Sequence, residues 1–158
     1  MPAYSIKRVQ KIPISPEEAW EFFSNPLNLQ VITPGDMRFQ IISKHHGDKI
    51  YAGQLIEYRI KPFLGIPFYW MTEIAQVKDK EYFIDVQLHG PYKLWHHRHY
   101  FKKIPGGVEM TDLIHYKNRM WILGRIANAL FVRKKLEKIF DYRYKRIEEL
   151  FGQWTSNS

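Results

Sequence analysis

The order of strand-like and helix-like segments is the feature that most constrains this fold. Residues 38–117 divide into short segments typical of strands, separated by turn signals that contain glycine, proline or aspartate. After Asn118, no proline occurs over about thirty residues and apolar residues recur at helical spacing. One long helix therefore follows the strands and must cover the apolar face of their sheet. The six predicted strands are 38–43, 53–61, 67–77, 81–89, 93–103 and 108–117.

The N-terminal part of the chain adds one strand and two short helices. Residues 4–12 alternate in polarity and predict a strand. Ser15 is placed to cap a helix that has Pro16 in its first turn and runs to about Phe23. A second short helix is predicted over 25–33. The fold class is therefore α+β: a seven-stranded antiparallel sheet curved around a long C-terminal helix, with two short helices after the first strand.

Length, composition and charge narrow the class of protein. A chain of 158 residues with 45% hydrophobic residues has room for one domain, expected over 1–152 with a disordered tail at 153–158. The absence of cysteine excludes disulfides, cysteine-based zinc sites and thiol nucleophiles. No signal peptide or membrane-spanning stretch is visible, so a cytoplasmic location is expected. Because no recognised binding motif accompanies the net charge of +8, nucleic acid is not expected as a partner.

Three histidines fall close together in the segment PYKLWHHRHYF, residues 91–101. Strand side chains alternate, so one face of this strand carries four of its large side chains, Trp95, His97, His99 and Phe101. The following IPGG turn pairs 103 with 108 and predicts four cross-strand pairs: His99 with Asp112, His97 with Ile114, Trp95 with Tyr116, and Phe101 with Met110. One face of this hairpin thus mixes large aromatic side chains with imidazoles and a carboxylate.

The preceding hairpin shows the same mixture. Pairing 78 with 81 across the turn at Asp79 predicts three further pairs: Thr72 with Gln87, Trp70 with His89, and Ile74 with Asp85. A pure core face would be aliphatic, whereas this one combines a large ring with hydroxyl, amide, imidazole and carboxylate groups. Parity alone leaves open which face of the sheet is inside.

Several stretches of the sequence resemble the START-like (SRPBCC) superfamily, also known as the helix-grip or Bet v 1-like fold. They are PEEAWEFFSNPLNLQVITP, AGQLIEYRI, GIPFYWMTEI, FIDVQLHGPYKLWHHRHYF and LGRIANALFVRKKLEKIFDYRYKRIEELF. They cover most of the chain in the expected order, and the nearest resemblance is to bacterial ligand-binding SRPBCC proteins without an assigned function.

The resemblance implies a deep cavity between the sheet and the C-terminal helix. Members of the superfamily bind lipids, sterols, hormones, polyketides or aromatic compounds, and some act as cyclases or dehydratases. The pattern of the nearest members repeats the Trp, His and Phe residues of 95–101 together with an acid and a tyrosine that match Asp112 and Tyr116. This favours the face of Trp95 and His97 as the cavity side, but no catalytic set transfers to this chain.

We therefore expect the chain to bind an apolar or aromatic small molecule, which is lipid-, polyketide- or quinone-like. The residues expected to contact it are Tyr58, Trp70, Thr72, Gln87, Trp95, His97, His99, Asp112 and Tyr116. The alternative is a packed core whose polar side chains are satisfied by one another, with His99 paired to Asp112.

The histidines allow two further interpretations. His97 and His99 point to one side of a strand and could bind a metal ion with Asp112 or His89 as the third ligand. This spacing is common without metal, so no metal and no cofactor are expected. The runner-up function is a cyclase- or dehydratase-like enzyme with His99 as the base and Asp112 as its orienter. The sequence leaves open whether the protein is an enzyme.

A third class is an interaction protein that uses the basic C-terminal helix. Its cations are expected on the outer face of the helix, where they would meet a membrane surface or an acidic partner: Arg133, Lys134, Lys135, Lys138, Lys145 and Arg146. The sequence does not indicate an oligomeric state.

Overall fold

The computed structural model of the chain describes residues 3–44, 47–63, 65–118 and 125–155, and of 62–63 and 125–129 the backbone alone. Seven strands are present in these ranges: β1 (Tyr4–Ile12), β2 (Gln40–Ile41), β3 (Leu55–Phe63), β4 (Ile66–Lys78), β5 (Tyr82–His89), β6 (Tyr92–Ile104) and β7 (Gly107–Asn118). The helices in the same ranges are α1 (Pro16–Phe23), α2 (Asn28–Val31) and α3 (Arg125–Phe151), and a 3-10 turn spans Gly35–Met37.

The strands form one antiparallel sheet in the order β1-β7-β6-β5-β4-β3-β2. From β2 to β7 each strand pairs with the next along the chain, and β1 pairs with the last strand. The predicted α+β class and the seven-stranded sheet with a long C-terminal helix are confirmed.

Of the N-terminal elements, β1 and α1 agree with the prediction and α2 is shorter than predicted. β1 and α1 have the predicted bounds, and Ser15 Oγ accepts a hydrogen bond of 3.1 Å from the backbone N–H of Glu18. The second helix is shorter than the predicted 25–33, because the Asn25 side chain accepts from the N–H of Leu27 and holds a turn ahead of it.

Two further predictions concern β2 and the start of α3. The strand predicted at 38–43 shrinks to the two residues of β2, since Arg38 adopts a left-handed conformation that ends the preceding 3-10 turn. The predicted start of the long helix, residues 119–124, lies outside the described residues. No helix in the described part of the chain has both the length and the apolar character needed to cross a bilayer.

The helix α3 lies closest to β1 and β7 and buries an apolar stripe against the sheet. Val132, Leu136, Phe140 and Ile147 are all buried, and their spacing of four or seven residues keeps them on one side of a helix. At the other end of the core, Trp20 of α1 meets Phe83 and Phe101 edge to face. Two elements from opposite ends of the chain therefore cover neighbouring parts of the same sheet face.

Packing continues past residue 152 as far as Trp154, which belongs to the segment predicted as a tail. A Cβ built on Gly106 would lie 3.5 Å from the Trp154 ring, and Lys11 Nζ lies 5.8 Å from the centre of that ring. Gly106 has φ of +81°, so its turn favours glycine for conformational as well as steric reasons. The indole of Trp154 thus covers the turn between β6 and β7.

Truncating Ile147 tests whether α3 is fixed by its buried stripe. Ile147 is 0% exposed and Leu150, three residues further along the helix, is 38% exposed. Ile147→Ala is expected to lower the free energy of unfolding by about 2–5 kcal/mol, because it leaves a cavity in the core. Leu150→Ala is the matched control and should change it by only about 0.5 kcal/mol. Urea unfolding measures both values, and equal effects would contradict this account of α3.

Candidate functional site

A cavity of about 170 Å³ lies between the inner face of the sheet, α3 and the segment that contains α1 and α2. Most of its lining is aliphatic or aromatic, with contributions from Ile32 and Met37 beside α2, from Ile56 and Ile60 of β3, and from Leu136 of α3. Side chains from several elements that are distant in sequence therefore enclose a single apolar space.

An aromatic wall closes one side of the cavity. The rings of Trp70 and Trp95 meet edge to face with their centres 5.4 Å apart, and Tyr92 lies 4.9 Å from Trp95. The indole N–H of Trp70 donates to Thr72 Oγ1 at 3.0 Å, which fixes the orientation of that ring. These contacts present rigid ring faces and edges to the cavity.

The polar end of the cavity is formed by Asp85, His97, His99 and Asp112, called here the His–Asp cluster. Asp112 Oδ1 lies 2.7 Å from His97 Nε2 and 3.0 Å from His99 Nδ1. Asp85 Oδ2 lies 2.8 Å from His99 Nε2 and 3.5 Å from His97 Nδ1. Each imidazole therefore contacts both carboxylates, and the His97–Asp112 contact is the shortest of the four.

Strand register brings the His–Asp cluster together. The pairs predicted across the β6–β7 turn are confirmed, including His99 opposite Asp112 and Trp95 opposite Tyr116. On the other side of β6, Asp85 of β5 lies opposite His97. Stacking then holds the rings, since His97 and His99 have their centres 3.6 Å apart and Phe83 lies 4.0 Å from His99.

The two histidines have different protonation preferences. Burial alone would lower the pKa of His99, but its hydrogen bonds to Asp112 and Asp85 outweigh burial and raise that pKa above the ordinary 6.5. Burial, reinforced by the charge of His99, lowers the pKa of His97. His99 is therefore the more basic imidazole of the pair, and His97 favours its neutral form.

The two aspartates remain ionised. Burial, the largest single influence, would raise the pKa of Asp85 and Asp112, but the charges and hydrogen bonds of the two imidazoles together lower both. The His–Asp cluster thus combines two ionised carboxylates with one imidazole that favours the charged form and one that favours the neutral form.

Seven of the nine predicted contact residues line the cavity, namely Tyr58, Trp70, Thr72, Trp95, His97, His99 and Asp112. Two lie elsewhere. The Gln87 amide donates to the backbone carbonyl of Tyr92 at 2.8 Å and accepts from its N–H, so it supports the β5–β6 turn. Tyr116 is 1% exposed and packs between Tyr4 and Tyr92, beside the cavity rather than on its wall.

The register of the β4–β5 hairpin agrees with only part of the prediction. Thr72 lies opposite Gln87 and Ile74 opposite Asp85, as predicted. The pairing of Trp70 with His89 is wrong, because an irregularity between Met71 and Thr72 shifts the strands and brings Met71 opposite His89. His89 is exposed and contacts the Tyr69 ring, so it cannot complete a metal site with the buried histidines.

Sequence reasoning assigned neither Asp85 nor Arg143 to the cavity, although both line it. The β4–β5 hairpin predicts Asp85 opposite Ile74, whereas its contact with the histidines lies across the β5–β6 turn, where no pairing was predicted. Arg143 lies three residues after Phe140 and four before Ile147, a spacing that assigns it to the buried side of α3. Helical periodicity therefore predicts that Arg143 faces the sheet, on the buried side of α3.

Lys135 also departs from its expected place on the outer face of α3. It lines the cavity, and its Nζ lies 3.5 Å from Asp36 Oδ2 in the 3-10 turn after α2. This ion pair joins α3 to the segment that covers β3, at the edge of the cavity. In contrast, Arg133 and Arg146 form pairs with Glu137 and Glu149 on the exposed surface of the helix.

The donor atoms of Asp85, His97 and His99 lie within 4.8 Å of one another, a grouping that could hold a metal ion. The carboxylate and imidazole donors suit zinc. Binding would require His99 to give up the proton that its two aspartate contacts favour. The donor set thus fits a metal in type, while the hydrogen bonds already formed oppose it.

Comparisons with known proteins establish the fold. No family model matches the sequence, and no curated protein sequence matches it. Among solved structures, protein Ms6760 from Mycobacterium smegmatis superposes with a TM-score of 0.69 at 13% identity, covering 98% of this chain and 92% of that one. Protein CV1439 from Chromobacterium violaceum gives a TM-score of 0.71 at 10% identity, over 95% and 98% of the two chains.

A plant protein is similar to the same extent. Major latex-like protein 151 from Panax ginseng gives a TM-score of 0.66 at 12% identity, covering 96% of this chain and 99% of that one. These neighbours are Bet v 1-like (SRPBCC) proteins, so the chain has the helix-grip fold that its sequence resembles. Identities this low establish the fold alone.

The protonation of His99 predicts a pH-dependent contribution to stability. A raised pKa means that the contribution is complete below pH 6.5 and is lost as the pH rises through the folded-state pKa. His99→Gln is therefore expected to destabilise the fold more at about pH 6 than at about pH 9. Chemical unfolding at several pH values measures the difference, with exposed His89→Gln as the control. A difference that is constant or larger at the higher pH would contradict the assignment.

Proposed function

We propose that this chain binds a small apolar or aromatic molecule in the cavity between the sheet and α3. The observation that supports this most is the combination of an apolar cavity, a wall of rings at Trp70 and Trp95, and one polar end at the His–Asp cluster. Small-molecule sites are typically apolar cavities with a few placed polar groups that set the ligand's orientation.

The size of the cavity narrows the proposed ligand. About 170 Å³ is close to the roughly 150 Å³ of an engineered apolar cavity that accommodates benzene in another protein. A single ring with small substituents, such as the head of a quinone-like compound, fits this volume. A sterol or a long acyl chain would require the cavity to enlarge.

The proposed entrance lies beside α2. Asn25, Pro26 and Leu29 line the cavity on this side, and Lys135 and Asp36 join α3 to the turn that follows. An exposed ion pair of this kind contributes little stability, so it can open without a large cost. The ligand would then enter between α2 and α3 and reach the ring wall.

Blocking the cavity tests the proposal. Leu29 and Leu27 are neighbours in the α2 segment, but only Leu29 lines the cavity, while Leu27 is exposed. Native mass spectrometry of the purified chain, with organic extraction, is expected to find a bound molecule of low mass. Leu29→Trp should reduce its occupancy at least about tenfold by filling the space, and Leu27→Trp should not change it.

Three results would count against this assignment. A wild-type chain that is empty and takes up no single-ring compound would contradict it. Equal occupancy in the two tryptophan variants would place any bound molecule outside the cavity. Stoichiometric zinc in the wild type, lost on His97→Gln, would instead assign the His–Asp cluster to a metal.

Proton-transfer catalysis is the second candidate function, and the geometry favours His97 over His99 as the base. Both ring nitrogens of His99 lie within 3.0 Å of carboxylate oxygens and its imidazolium form is favoured, so it has no free lone pair. His97 favours its neutral form, and its Nδ1 lies 3.5 Å from Asp85 Oδ2. The residue that orients His97 would be Asp112, through the 2.7 Å contact with Nε2.

A substitution at His97 separates binding from catalysis. If the chain turns over a quinone- or polyketide-like compound, His97→Gln is expected to lower kcat by about 100-fold or more, with a smaller effect on binding. Steady-state kinetics and calorimetry with the same compound measure the two effects. Loss of affinity alone would identify His97 as a binding residue.

The third candidate, an interaction surface on the basic face of α3, has less support. The pairs Arg133–Glu137 and Arg146–Glu149 neutralise part of that face, and Lys135 is engaged at the cavity edge. Peripheral contact with a membrane therefore has less support than small-molecule binding. Such contact would be recognised by its sensitivity to salt.

A further inference from the structure

Arg143 of α3 is an unpaired cation at the polar end of the cavity, within the part of the chain that the structure describes. It lines the cavity and is partly buried, and its Nε atom is fully enclosed without a hydrogen-bond partner among the described residues. Its guanidinium carbon lies over the Phe140 ring, 4.9 Å from the ring centre. Of the five N–H donors of a guanidinium, the Nε–H of Arg143 is therefore available to a bound acceptor.

The neighbouring acids do not form an ion pair with Arg143 in the described structure. Asp85 and Asp112 also line the cavity, and their charges favour the guanidinium electrostatically. Their oxygens, however, are engaged by His97 and His99, and no ion pair joins either aspartate to Arg143 in the described structure. An enclosed donor without a partner costs free energy, and a bound acceptor group would recover it.

We propose that Arg143 binds an acidic group of the ligand, and that the ligand is a single-ring aromatic carboxylate. This deepens the proposed function and rests on it. The planar fork of a guanidinium matches a carboxylate with two parallel hydrogen bonds. A monoanion suits this position better than a doubly charged phosphate, because the carboxylates of Asp85 and Asp112 line the same cavity.

A continuous row of rings connects Arg143 to the aromatic wall. The Phe140 ring lies under the guanidinium and 5.8 Å from the His97 ring, which in turn lies 6.0 Å from Trp95. A carboxylate on Arg143 would therefore direct an attached ring toward Trp95 and Trp70. The cavity volume of about 170 Å³ limits that ligand to one ring with small substituents.

Benzoate and benzamide are suitable probes, because they have nearly the same shape and differ in charge. Calorimetry with the full chain at about 0.15 M salt suppresses weak attraction to its net positive surface. The wild type is expected to bind benzoate at least about tenfold more tightly than benzamide, the ratio that one charge-assisted hydrogen bond supplies. Arg143→Met should remove this preference and leave benzamide affinity within about threefold.

Arg146→Met is the matched control. Arg146 lies on the same helix with its side chain 37% exposed and paired with Glu149, so its loss should leave the affinity for both probes unchanged. Arg143→Lys, which keeps the charge without the planar fork, should retain part of the preference. This second variant covers the case in which Arg143→Met fails to fold.

The outcomes separate the two proposals. Equal affinity of the wild type for benzoate and benzamide would overturn the role of Arg143 and leave small-molecule binding intact. If both Arg143 variants kept the full preference for benzoate, the role of Arg143 would likewise be overturned, and small-molecule binding would remain intact. Binding of neither probe, together with an empty cavity in extraction, would overturn both the role of Arg143 and the proposed function.

Discussion

The burial of one helical stripe against one side of a seven-stranded sheet determines the rest of this structure. α3 lies over β1 and β7, where Leu136, Phe140 and Ile147 are buried. A single helix is about 10 Å wide, whereas seven strands span roughly 30 Å. The remaining sheet face must be covered by other elements, and the α1–α2 segment covers it without filling the space beneath.

The position of the His–Asp cluster follows from this arrangement. Asp85, His97, His99 and Asp112 come from three adjacent strands and point to the covered face of the sheet. Pairing two carboxylates with two imidazoles satisfies groups that would otherwise be costly to bury. Stacking of Phe83 on His99 and the tilted contact of His99 with His97 then limit the positions that the rings can take. The cavity thus has a polar end whose geometry is fixed by these contacts, and the rest of its lining is mostly apolar.

Much of this geometry could be predicted because it depends on local rules. Alternation along β6 and a tight turn at Gly106 fix the pairing of β6 with β7, so His99 and Asp112 were expected to meet. The predicted β4–β5 pairing is wrong beyond Thr72, because an irregularity between Met71 and Thr72 shifts the register. The residue types at that point give no sign of the irregularity. Asp85 was missed for a related reason, since its contact with His97 depends on the register across the β5–β6 connection.

The contact residues that were expected but lie elsewhere show a second limit of sequence reasoning. Gln87 and Tyr116 lie in strands that contribute to the cavity, yet one supports a turn and the other packs in the core. Parity assigns a side chain to a face of the sheet, but it does not tell how far along the strand the cavity extends. Arg143 shows the opposite case, because its place on the buried stripe of α3 could be read from the spacing of Phe140 and Ile147.

Stability alone does not explain the charges of this cavity. Replacing a buried ionic network by apolar side chains of similar volume is often neutral or stabilising in proteins, because desolvation offsets the attraction. Stability alone therefore does not require the His–Asp cluster or Arg143 in this cavity, where the arginine Nε is enclosed and unpaired among the described residues. Both features gain a physical reason if the space beside them receives a ligand, since its acidic group would supply the acceptor that Arg143 lacks. The same space would then bury the ring of that ligand against Trp70 and Trp95, so that apolar contacts provide affinity and the charged groups select the ligand.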